Sequence, residues 1–113
     1  MPNSNYRRGR AREYQVLHML RSSGWVCSRS AMSHGPIDVF AARSGNVLLI
    51  QVKSGSARVK KQELVLLKSW AEEFNASAEV WYFRNRRKIR KVSVYKRKTR
   101  NPERPTFATL PPS

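Results

Sequence analysis

The stretch Gly35-Pro36-Ile37-Asp38-Val39-Phe40-Ala41-Ala42-Arg43-Ser44-Gly45-Asn46-Val47-Leu48-Leu49-Ile50-Gln51-Val52-Lys53 decides the fold. Residues 37–42 and 47–53 are apolar and rich in β-branched side chains, and Arg43-Ser44-Gly45-Asn46 between them has a turn composition, so the segment reads as a β-hairpin. A four-residue connection that pairs Ala42 with Val47 sets Asp38 opposite Gln51. Because side chains alternate along a strand, Asp38, Gln51 and Lys53 then share one face, with Ile50 and Val52 on the other. Cross-strand neighbours lie about 5 Å apart. At that spacing oxygen ligands can share one hard cation while a lysine reaches the substrate beside it. The plainer alternative is a structural Asp–Lys contact at a strand end.

Working outward, helical periodicity runs from Gly9 to Ser22, with Val16, Leu17 and Leu20 on one stripe and Gly24 as a stop. Glu13 falls within about 40° of Leu17 and Leu20 on a helical wheel, so it points toward the core side. A carboxylate there needs a cation, a metal or a hydrogen-bonding partner. Alternatively Glu13 serves the helix dipole and pairs with a nearby arginine. Residues 25–30 read as a first strand. The small-residue loop 31–36, AMSHGP, leads straight to Asp38 and offers Ser33 and His34 to phosphate or sugar, unless both are simply solvated.

Beyond Lys53, Ser54-Gly55-Ser56 breaks the strand, and residues 57–75 form a second helix with Val59, Leu64, Leu67, Trp70, Ala71 and Phe74 on its apolar stripe. Lys60, Lys61 and Lys68 line its other side. Residues 79–83 and 89–95 make two further strands, and the apolar Val80–Phe83 run is a candidate subunit interface. The order α-β-β-β-α-β-β predicts an α/β fold, a central mixed five-stranded sheet flanked by helices.

The chain has 113 residues, enough for one core, and is organised as a basic N-terminal arm (1–8), a globular domain (9–95) and a basic, Pro-containing tail (96–113). Its net charge of +16 requires a polyanionic partner, with nucleic acid first and an anionic membrane surface second. Arg7, Arg8, Arg10 and Arg12 give the arm the density of a phosphate-tracking segment, and 84–104 holds eleven basic residues against one acid. No apolar run is long enough to span a bilayer and none resembles a signal peptide, which argues for an intracellular, cytoplasmic protein that is neither secreted nor inserted in a membrane. A lone Cys27 makes no internal disulfide. With only His18 and His34 as histidines there is no zinc pattern, so any metal is a hard ion held by oxygens.

Phosphodiester hydrolysis brings an anionic nucleophile to an anionic centre, and a divalent ion eases both problems. Glu13, Asp38, the Gln51 amide oxygen and the Val52 main-chain carbonyl are the candidate ligands for Mg²⁺, with Mn²⁺ as a substitute. Lys53 would stabilise developing charge. No small-molecule cofactor is expected.

A helix glutamate, a strand aspartate after a proline, and x-Lys on the next strand followed by a helix together resemble the PD-(D/E)xK nuclease superfamily. Within it, YRRGRAREYQVLHMLRSSGW followed by SRSAMSHGPIDVFAARSGNVLLIQVKS resembles the archaeal-type Holliday junction resolvases and their phage relatives, over about residues 6–83. The resemblance implies a restriction-endonuclease-like core. Glu13, Asp38 and Lys53 fall at the family's catalytic positions, Ser33 at its loop serine, and the run from Arg7 to Arg12 at its DNA-binding arm. Arg29, Ser33, His34, Lys60 and Lys61 complete the expected DNA-contacting set. Gln51 departs from the family's usual acid.

The resemblance further implies a homodimer that makes paired symmetric nicks in four-way junction DNA. Two alternatives remain open on the residues alone: an Mrr-like or repair nuclease acting on ordinary duplex, and a non-enzymatic basic coating protein in which Asp38 and Lys53 are only a salt bridge.

Overall fold

The computed structural model describes residues 4–30, 35–85 and 88–98, with side chains from residue 9 onward. Helix α1 (Ser4–Ser22) leads into strands β1 (Val26–Arg29), β2 (Val39–Arg43) and β3 (Asn46–Ser54); helix α2 (Lys61–Phe74) then crosses over to β4 (Ser77–Phe83) and β5 (Ile89–Tyr95). The element order and the mixed five-stranded sheet are those expected from the sequence.

The sheet runs β1-β2-β3-β4-β5, antiparallel throughout except for the parallel β3–β4 pair that the α2 crossover requires. The hairpin register holds, with Ala42 opposite Val47 and Val39 opposite Ile50. Its turn is tighter than a four-residue loop. Ser44 and Gly45 form it alone, with φ of 51° and 80°, the left-handed pair that matches the twist of the flanking strands.

Alternation along β3 builds two cores. Leu48 and Ile50 pack with Val39, Ala41, Trp81 and Phe83 under the Val16, Leu17 and Leu20 stripe of α1. Leu49 faces the other way, with Ile37, Ala78 and Val80 beneath Leu67 and Ala71 of α2. The Val80–Phe83 run is therefore not a subunit interface, because Val80, Trp81 and Phe83 are 1%, 3% and 1% exposed.

The helix boundaries also move. Helix α1 starts at Ser4 and not at Gly9, so the basic residues Arg7 and Arg8 ride on its first turns; an all-polar opening carries no apolar stripe from which periodicity could find it. Helix α2 starts at Lys61 and not at Ala57, because Gly55 turns the chain at φ 65° and Lys60 stays extended (φ −75°, ψ 153°) as the N-cap. Asn75, left-handed at φ 54°, closes α2 and donates its N–H to the Ala71 and Glu72 carbonyls.

Leu49 is fully buried on the sheet that carries the site. Leu49→Ala should cost about 2–5 kcal/mol. A fall in the urea midpoint with an unchanged m-value would check it.

Candidate active site

The site forms where β2 stops pairing with β3. The last bond between them runs from the Asp38 N–H to the Ile50 carbonyl (2.9 Å), and two residues further along β3 the Asp38 side chain takes over: Oδ2 accepts the Val52 N–H at 2.7 Å. A carboxylate thus occupies the place of a strand. The Val52 carbonyl points to the same edge as its N–H, since both groups of a strand residue face one neighbour.

The paired register stops at Val39–Ile50, one step short of the expected Asp38–Gln51 pair; Ile37 packs on the α2 side and Val39 on the α1 side, so the alternation breaks at Asp38. Gln51 and Lys53 project toward α2, while Ile50 and Val52 pack on the α1 side. Because Asp38 lies in the gap, both helical layers act on it: Glu13 from α1, Glu63 from α2, and Lys53 from β3 itself. Its carboxyl is pushed up to about 6 from 3.8, first by burial; the Val52 N–H opposes this, Glu13 adds to it, Lys53 opposes it, and Glu63 adds to it.

Glu13 sits half-buried on α1 and pairs with Arg29 at 3.2 Å, side chains 19% and 28% exposed. Glu13 faces inward and has an arginine, but α1 begins at Ser4 and has no acid in its first turn, so the expected service to the helix dipole falls away. Arg29, expected to contact DNA, spans Glu13 and the Tyr14 ring, 5.4 Å from its centroid. The Glu13 hydrogen bond is the first cause that raises the Arg29 pKa.

The remaining DNA-contact candidates divide. Arg10, Lys60 and Lys61 are exposed. Arg12 is half-buried, bonds Gln15 Oε1 at 3.1 Å and lies over the Phe83 ring. It borders a cavity of about 610 Å³ lined by Ser54, Gly55, Ser56, Ala57, Phe83 and Arg84, next to Lys53 in the chain. Ser33, His34, the side chains of Arg7 and Arg8, and the tail from residue 99 lie outside the described residues.

A family model for the archaeal Holliday junction resolvase (Hjc) matches residues 4–104. The chain belongs to this resolvase family. Among solved structures it is similar to Hjc of Archaeoglobus fulgidus, a Holliday junction resolvase from an archaeal hyperthermophile. The two share 27% identity at a TM-score of 0.68, over 77% of this chain and 73% of that one. No curated protein matches the chain. Family membership makes the chain an endodeoxyribonuclease whose substrate is branched DNA.

Nucleases of this family use divalent metal ions, and the donors in this resolvase fit a hard cation. They are all oxygens. Gln51, 7% exposed, has an Oε1 with no hydrogen-bond partner among the described residues, which in a buried amide is costly unless something binds it. Yet among the described residues no three His, Cys, Asp or Glu side chains close into a ready-made metal cluster. Glu13 is engaged by Arg29 and Asp38 by the Val52 N–H.

The sequence reading passed over Glu63. Its Oε2 accepts Gln51 Nε2 at 3.0 Å and Lys53 Nζ at 3.1 Å, and its Oε1 accepts the Lys60 N–H at 3.0 Å. The Lys60 bond is the first cause that lowers its pKa. Placing the helix start at Ala57 hid it mid-helix. A start at Lys61 makes Glu63 the third helical residue, where a glutamate reaches back to the cap.

The raised Asp38 pKa means that the folded state holds the proton more tightly than the unfolded chain does. Ionisation therefore costs stability, a cost that grows from about pH 3.8 to about pH 6 and is complete above that. Asp38→Asn keeps an acceptor for Val52 and removes the charge. In metal-free buffer it should raise Tm at pH 8 by roughly 4–8 °C for each kcal/mol relieved and change it little at pH 4. Thermal melts across that range read the difference.

Proposed function

We propose that the chain resolves four-way junctions as a Mg²⁺-dependent homodimer, with Asp38, Glu13, Gln51 Oε1 and the Val52 carbonyl around the ion and Lys53 as the catalytic cation. The observation that carries the reading is Asp38 in the β2–β3 gap, under the fields of Glu13 and Lys53 together. A bound divalent ion supplies Lewis-acid chemistry, polarising the scissile phosphate and acidifying water.

The chain's own groups do the rest. Lys53, 22% exposed and held by Glu63, presents an ammonium to the negative charge that develops on the phosphoryl oxygens. Arg12 and Arg84 flank the neighbouring cavity and suit the adjacent phosphates of the strand. Helix α1 carries Arg7, Arg8 and Arg10 from the same side of the sheet, so the backbone contacts lead toward the site. Recognition of this kind reads branch shape through phosphates and is steeply salt-dependent.

A single chain has one site, whereas a junction requires two symmetric nicks. The apolar surface near β1 supports a twofold partner. Val26 is 72% exposed, and Leu66, Trp70 and Phe74 form an i, i+4, i+8 stripe on α2 in which Leu66 is 45% and Phe74 49% exposed. Phe40 joins the two parts: it shares a shallow hollow with Val26 and packs 6.0 Å from the Phe74 ring. Contiguous exposed apolar surface of this kind marks an interface, and a self-complementary one closes as a dimer.

Asp38→Asn and Lys53→Ala should each lower junction cleavage by roughly 10²-fold or more with binding retained. A labelled four-way junction and a matched linear duplex, each with Mg²⁺ or EDTA, test this. Paired nicks in the junction alone are expected, and equal cutting of the duplex would refute the substrate. Phe74→Arg should shift the sedimentation coefficient from dimer to monomer and leave single, uncoupled nicks.

A further inference from the structure

We propose that Glu63 is the third acid of the metal site, supplying at the tip of Gln51 the negative charge which that side chain lacks. The inference rests on the reading of Asp38 and Glu13 as metal-site acids, and it adds a residue that neither the hairpin nor α1 contributes.

Three observations carry it. First, the site is short of anionic ligands: Glu13 shares its charge with Arg29, and Gln51 is neutral. A hard divalent ion draws its affinity from the charge of its oxygen ligands. Second, Gln51 is pinned by Nε2 to Glu63, which leaves the buried Oε1 as an acceptor with no donor among the described residues. A buried amide oxygen in that state is an open coordination position, and the side chain that fixes it there is Glu63. Third, Glu63 holds Lys53 through the same oxygen at 3.1 Å, and it acts on Asp38 electrostatically. One carboxylate therefore touches the amide ligand and the catalytic ammonium, and its field reaches the central aspartate.

A glutamate at the third position of a helix often does no more than cap it, and Glu63 does accept the Lys60 N–H. Capping needs only Oε1. Glu63→Gln keeps an oxygen for Lys60 and removes the charge, so it separates capping from metal binding. The charge-swapped pair Gln51→Glu with Glu63→Gln returns a carboxylate to the same spot from the strand side.

The experiment is calorimetric titration of Mn²⁺ and Mg²⁺ into the full-length, DNA-free protein, with thermal melts in EDTA to confirm folding. Glu63→Gln should weaken Mn²⁺ binding roughly 10- to 100-fold at nearly unchanged Tm, and the swapped double variant should recover most of the loss. Unchanged metal affinity in Glu63→Gln, while Asp38→Asn abolishes binding, would overturn the role of Glu63 and leave the metal site standing. A loss that the double variant does not recover would also overturn it, by showing that a carboxylate at this spot is not what the ion reads. Unchanged affinity in Asp38→Asn would remove the metal-site reading itself.

Discussion

The hydrogen bond from the Val52 N–H to the Asp38 carboxylate is the contact on which the site depends. A strand pair ordinarily continues until a turn ends it, and the side chains on its two faces are then sealed from each other by the ladder. Here the ladder ends at the Asp38 N–H to Ile50 carbonyl bond, and a side chain makes the next one. The sheet is opened by one position without leaving an orphaned donor. Through that opening groups from α1 and α2, which lie on opposite faces, come to bear on one carboxyl.

The same opening explains the balance of charge. Asp38 is half-buried and near two other acids, so its ionised form is disfavoured before any cation arrives. A chain of net charge +16 does not relieve this, because most of its cations are held on solvated surfaces where water screens them. Arg29 and Lys53 are each drawn inward by a glutamate: Glu13 for the first and Glu63 for the second. The result is two acid–base pairs on either side of a central aspartate. The proposed metal site and catalytic ammonium rest on that arrangement.

Helix α2 has two roles that its apolar stripe does not distinguish. Leu67 and Ala71 bury against β3 and β4 and fix the crossover. Its first turn, set by the extended Lys60 and the left-handed Gly55, aims Glu63 back across the end of β3. Its last turns leave Phe74 against Phe40 at the uncovered side of β2. One helix thus links the proposed site at its start to the proposed subunit surface at its end.

The local pattern of the sequence determined the elements, their order and the hairpin register, because alternation and turn residues act over a few neighbours and leave little choice. Asp38, Gln51 and Lys53 could be grouped from that register alone, and the inward face of Glu13 from helical spacing. Only the tertiary structure decided the partners: Glu13 with Arg29, Gln51 and Lys53 with Glu63, and the burial of Val80–Phe83 beneath α1 and α2. Those contacts join residues far apart in the chain. Their distances are set by how two helices sit on a sheet, which no short-range periodicity encodes.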